Sequence, residues 1–98
     1  MIQNAGTQLI TADGVVLSAA RAVRIFTIHI ISGAGGGAVV NLRSGSVVGA
    51  TIWITETGTA STGITFNYGT QGVLFPSGCF VDVDANTTSV AVVYNANT

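Results

Sequence analysis

The sequence predicts an all-β domain: a single antiparallel β-sandwich, jelly-roll-like, with about seven to nine short strands. Three observations predict it. Val, Ile, Thr and aromatic residues cluster in runs of a few residues, Gly, Asn, Asp and Ser separate those runs, and no segment carries the apolar spacing of an amphipathic helix. A chain of 98 residues has room for one such core, so residues 1–98 are expected to form one domain.

The elements follow in order. Residues 1–7 are polar and turn-poor and are expected to form an N-terminal arm. Runs at 8–11 and 15–18 flank Ala12-Asp13-Gly14, where an Asp-Gly pair suits a tight hairpin. Residues 22–31 form the strongest strand, and Gly33-Ala34-Gly35-Gly36-Gly37 ends it with a mobile loop or extended arm. Strands are expected at 39–43, after which Ser44-Gly45 turns the chain, and at 48–55. A polar connection at 58–62 leads into a strand at 63–68. Gly69-Thr70-Gln71-Gly72 then turns the chain into 73–75, and Pro76-Ser77-Gly78 into 79–83. A final strand spans 89–94, and residues 95–98 form a short polar tail.

Alternation along 22–31 places Val23, Ile25, Thr27, His29 and Ile31 on one face and Ala22, Arg24, Phe26, Ile28 and Ile30 on the other. Both faces are apolar, which predicts cover on both sides: the opposite sheet on one, and a neighbouring subunit or a loop of the same chain on the other. Composition points the same way. Charged residues make up 7% of the chain against about 25% in ordinary soluble domains, and the mean hydropathy is +0.62. A small domain with so little charge gains from burial against a partner. Candidate interface residues are therefore Arg24, Phe26 and Ile28 on this strand, together with Arg43, Trp53 and Phe80. Trp53, a large ring among threonines, suits either an interface anchor or a ring packed beneath a loop of its own subunit.

Several function classes lack support. Arg21, Arg24 and Arg43 are the sole basic residues besides His29, and the net charge is -1, so the chain has no electrostatic footprint for nucleic acid. The longest apolar-rich stretch, 19–31, is interrupted by Arg21, Arg24 and His29 and falls short of the roughly 20 residues of a membrane span. The N-terminus lacks the basic and apolar regions of a secretory signal, so export by that route is not expected. Cys79 is alone, which excludes an internal disulfide and a multi-cysteine zinc site, and it reads as a small core hydrophobe.

An enzyme is not expected. His29 lies between Ile28 and Ile30 in a strand, no Gly-x-Ser-x-Gly elbow is present, and a triad would have to draw on Asp13, Asp82 or Asp84. Asp82 and Asp84 share a strand face about 7 Å apart. They lack the oxygen ligands of a calcium site, and solvation or pairing with Arg24 or Arg43 accounts for them better. Residues 33–37 lack the Gly-Lys-Ser/Thr ending of a phosphate loop. No catalytic residue, metal or cofactor is assigned.

Asp13-Gly14-Val15-Val16-Leu17, Arg21-Ala22-Val23-Arg24-Ile25, Val40-Asn41-Leu42-Arg43-Ser44-Gly45 and Gly72-Val73-Leu74-Phe75-Pro76-Ser77-Gly78-Cys79-Phe80-Val81, with a Val-rich last strand ending in Tyr94, resemble small virion proteins of marine and cyanobacterial tailed phages. The resemblance covers roughly residues 7–94 and rests on hydrophobic and glycine patterns. It implies a capsid decoration (cement) protein: a homotrimer made in the host cytoplasm that binds the phage major capsid protein on the capsid exterior. Cys79, where an aliphatic or small residue is more typical, and the long 33–37 loop depart from the pattern. A tail, neck or fibre component is the structural alternative. A carbohydrate-binding sandwich using Trp53, Tyr68 or Tyr94 as a stacking platform is the alternative of another class.

Overall fold

The structure, a computed structural model, describes residues 4–16 and 21–96. Nine strands form among them: β1 (Asn4–Ile10), β2 (Gly14–Val16), β3 (Val23–Ser32), β4 (Val39–Ser44), β5 (Thr51–Thr57), β6 (Gly63–Asn67), β7 (Val73–Phe75), β8 (Cys79–Val83) and β9 (Thr87–Ala96). One sheet has the order β1-β9-β3-β6, with β7 also on β3, and the other has the order β2-β8-β4-β5. The chain is an antiparallel ribbon doubled on itself, β1 against β9, β2 against β8, β3 against β6 and β7, β4 against β5. Rolling that ribbon brings β9 beside β3 and β8 beside β4, which is the jelly-roll arrangement. The expected all-β sandwich is therefore observed.

The centre of the fold is β3, and its pattern corrects the reading of a strand apolar on both faces. Ile25 pairs with Tyr94 and Thr27 with Val93, so Phe26 is an extra residue with no opposite number on β9. A bulge of one residue exchanges the two faces of everything beyond it. Val23 and Ile25 before the bulge, and Ile28 and Ile30 after it, all point into the core and are fully buried. Thr27, His29 and Ile31 face outward. The apparent second apolar face is one core face read across a register shift.

Opposite the bulge, the neighbouring strand also breaks. β6 and β7 lie in line on β3, pairing with 27–31 and 23–25 respectively, and residues 68–72 loop out between them. The Tyr68 amide donates to the Phe26 carbonyl at 2.8 Å, and Arg24 Nη1 donates to the Gln71 carbonyl at 3.1 Å. Gly72 has φ +64°, and a Cβ there would lie 2.7 Å from the Ile25 carbonyl oxygen and 2.8 Å from the Phe26 ring. Only glycine fits that position.

Other expectations fail for equally local reasons. The Asp13-Gly14 hairpin does not form, because β1 and β2 belong to different sheets. Asp13 Oδ1 instead accepts from the Val83 amide at 2.8 Å. The 33–37 segment is neither a loose loop nor an arm. The Gly33 amide donates to the Asn86 carbonyl at 2.8 Å and the Ser61 amide to the Gly33 carbonyl at 3.0 Å. A side chain on Gly37 would collide with the Gly58 carbonyl, so these glycines permit close backbone approach. Of the expected arm, residues 4–7 lie in β1 and pair with 93–96, which places Asn95 and Ala96 of the expected tail in β9. The remainder of the arm and tail, like 17–18 of the second expected run, lies outside the described residues.

Between the sheets, Val40, Leu42, Val81 and Cys79 of one face Ile25, Ile28, Ile30, Val90 and Val92 of the other, with Phe75 filling one end. The bulge makes a direct forecast. Ile28→Ala should lower unfolding stability in urea by about 2–5 kcal/mol, whereas Ile31→Ala, on the outer face, should cost under about 1 kcal/mol. Equal losses at both positions would contradict the register.

Candidate functional site

The rolled ribbon puts alternate connections at opposite ends of the sandwich. One end gathers 11–13, 33–38, 58–62 and 84–86, tied together by the Gly33–Asn86, Ser61–Gly33 and Gly58–Ala38 backbone hydrogen bonds. It is built from Gly, Ser, Thr, Ala, Asn and Asp, with Ala38 buried beneath. The other end gathers 45–50 and 76–78, tied by the Gly45 amide donating to the Gly78 carbonyl at 2.9 Å. Here Val47 and Val48 form the tip of the β4–β5 turn and are 61% and 64% exposed. Ile52 and Trp53 continue this apolar surface onto β5, with Trp53 49% exposed.

Trp53 owes its position to a second bulge. Leu42 pairs with Ile54 and Arg43 with Ile52, leaving Trp53 as the extra residue on β5. Its ring leans on buried Phe75, with centroids 5.3 Å apart and planes inclined at 32°. One side of the indole thus covers Phe75 while the other meets solvent.

Charge is divided along the same axis. Arg21 and Arg24 precede or open β3 and Arg43 nears the end of β4, all toward the apolar end. Asp13 and Asp84 sit in the polar end's loops, and Glu56 and Asp82 lie near the ends of β5 and β8 that lead there. Arg43 bridges the halves: Nη2 and Nε donate to Asp82 Oδ2 at 2.8 and 3.1 Å, and Nη1 donates to the Ala50 carbonyl at 2.8 Å. That last bond braces the turn that presents Val47 and Val48.

The six sequence-derived interface residues do not form one surface. Ile28 is fully buried in the core and cannot meet a partner, a correction that follows from the bulge. Arg24 and half-buried Phe26 brace the 68–72 excursion. Phe80, half-buried, lies on the outer face of β8 opposite Arg43. Trp53 alone belongs to the exposed apolar end. Val47 and Val48 escaped sequence reading because 48 was placed inside a strand; their signal was two valines set between Gly45 and Gly49, in a turn closed by the Ala50 amide donating to the Val47 carbonyl.

The other candidate constellations do not assemble. His29 faces out of the five-stranded sheet and hydrogen-bonds Thr65 Oγ1 at 2.7 Å, while Asp82 belongs to the opposite sheet and Asp13 and Asp84 to loops. Asp84 Oδ1 accepts from the Asn86 amide and the Thr87 hydroxyl, closing a turn, while Asp82 is paired with Arg43. Among the described residues no three His, Cys, Asp or Glu side chains converge to hold a metal. Of the aromatics considered for a stacking platform, the Tyr68 hydroxyl donates to Glu56 Oε2 at 2.9 Å and Tyr94 packs against the core above Gly6, while Trp53 is half exposed.

No protein-family model matches the chain, and no curated protein sequence matches it. Among solved structures it is similar to a chain of Bacillus endospore appendages, described as a novel family of disulfide-linked pili. The TM-score is 0.54 at 12% identity, over 98% of this chain and 87% of that one. At that identity the likeness is one of fold.

Burial pushes the Cys79 thiol up to about 12 from its ordinary 9.0. Burial, and then the bond to Glu56, also raises Tyr68. In both cases the unfolded chain releases its proton first. Stability is thus fully present below about pH 9 and declines as pH rises toward about 12. Native Cys79 should resist a maleimide reagent at pH 8 and react at once in denaturant; rapid native labelling would contradict its enclosure.

Proposed function

We propose that this chain is a non-enzymatic structural protein that works by assembling with copies of itself and seating one end on a larger scaffold. The observation that carries the reading is the polarity of the sandwich: an apolar end of Val47, Val48, Ile52 and Trp53 opposite an end of small polar residues and acids. An exposed apolar cluster of this kind supports docking, and a half-exposed Trp held rigid against the core supplies area at little cost in rotamer freedom. The polar end keeps the assembled surface hydrated. Adhesion of this type needs no catalytic group.

In its specific form the reading is a virion decoration (cement) protein bound to the major capsid protein on the capsid exterior, supported by the resemblance of residues 7–94. The fold likeness to an appendage subunit favours a second form, a repeated unit of a surface filament or of a tail or fibre. Electron microscopy separates them. Purified protein incubated with undecorated capsids should coat them in the first case; in the second it should form filaments by itself. A chain that does neither would remove the structural reading.

Val48→Asp should weaken scaffold binding by about tenfold or more while leaving the urea midpoint nearly unchanged, since the side chain lies at an exposed turn tip. Loss of folding, or undiminished binding, would show that this end is not the docking surface.

A further inference from the structure

A two-sheet sandwich has four edge strands, and each offers unpaired backbone groups to another chain unless it is guarded. Three edges here carry recognised guards. β2 pairs with β8 over three residues, Gly14–Val16 against Val81–Cys79, the last being the first residue of β8. The opposite edge of the other sheet is cut into β6 and β7 by the 68–72 excursion. β5 is distorted by the Trp53 bulge and carries the Glu56 carboxylate, turned inward onto the Tyr68 hydroxyl. Short length, interruption, bulges and inward charges are the devices that discourage edge pairing.

β1 has none of them. Asn4–Ile10 runs in unbroken register along β9 and contains no charge, no proline and no bulge. Among the described residues, no strand pairs with its outer side. Leu9, at 65% the most exposed large hydrophobic among the described residues, lies on this strand, with half-exposed Val93 on its neighbour. A seven-residue edge extends about 23 Å.

We infer that β1 is a self-association edge, pairing antiparallel with β1 of a second copy across a two-fold axis; this rests on the assembly reading above. The partner strand follows by elimination. With the other three edges guarded, the strand that a second copy can offer is its own β1, and like pairing with like is the isologous geometry of a two-fold dimer. A register centred on Thr7 sets Thr7 opposite Thr7, a favourable cross-strand pair, and Leu9 opposite Ala5. The two five-stranded sheets then join edge to edge, and both apolar ends stay outside the contact.

The test is the mass of the full chain at micromolar concentration, by sedimentation and native mass spectrometry. The wild type should be a dimer whose stability is insensitive to salt, because the edge has no charge to screen. Thr7→Lys and Leu9→Lys place like charges across the axis and together should raise the dimer dissociation constant on the order of tenfold or more. Thr59→Lys, an equal charge in an exposed loop at the polar end, should leave the dimer intact. Should either lysine disturb the fold, amide exchange of the wild type still decides the matter: residues 4–10 should become more protected as concentration rises. A monomeric wild type, a dimer indifferent to both lysines, or a trimer would overturn the proposal. A larger assembly surviving both lysines would do so while leaving the structural reading standing; failure to assemble or to bind capsids in any form would remove both.

Discussion

Everything in this sandwich hangs on the register of β3 against β9, and that register turns on one residue. β3 touches more of the fold than any other strand: β9 flanks it on one side, β6 and β7 on the other, and the opposite sheet covers its inner face. By inserting Phe26 between Ile25 and Thr27, the chain swaps the faces of the strand halfway along. Without the swap, Ile28 and Ile30 would point to solvent while Thr27, His29 and Ile31 entered the core. The excursion at 68–72 is the counterpart on the other neighbour. It absorbs the displacement and is held by the Phe26 carbonyl, the Arg24 guanidinium and the close fit of Gly72.

The sparse charge of the chain takes on a different meaning once placed. Arg43 is spent inside its own subunit, neutralising Asp82 and bracing a turn, and Glu56 is tied to Tyr68. Few charges remain for recognition, so the association proposed above draws on apolar area and backbone pairing. Those two resources occupy different places: the apolar loop tip and Trp53 at one end of the sandwich, and the unguarded β1 along one side. The proposed dimer edge and the proposed docking end therefore lie on separate surfaces of the subunit.

Bulges do double duty here. At Phe26 a bulge corrects the facing of a central strand, and at Trp53 another lets a single indole both cover Phe75 and remain half in water. The latter bulge also spoils β5 as a pairing edge, so one local irregularity both presents an anchor and guards a strand.

By itself the sequence determined the β class, most strand positions and the enclosure of Cys79, because β-branched runs and glycine-rich breaks are local signals that tertiary packing did not override. Residues 73–75 and 79–83 are strands as expected. It did not determine facing or partnership. A one-residue bulge leaves no mark on composition yet inverts a strand, so Ile28 read as an interface residue and proved to be core. Asp13-Gly14 has the chemistry of a hairpin, but the rolled ribbon sends the chain to the other sheet there, and the carboxylate finds Val83 instead. Glycines at 33–37 looked like freedom and serve close packing. Which strands stand at the sheet edges among the described residues, and which apolar residues stand at one end, are properties of strand order, and strand order arises from contacts between residues far apart in the chain.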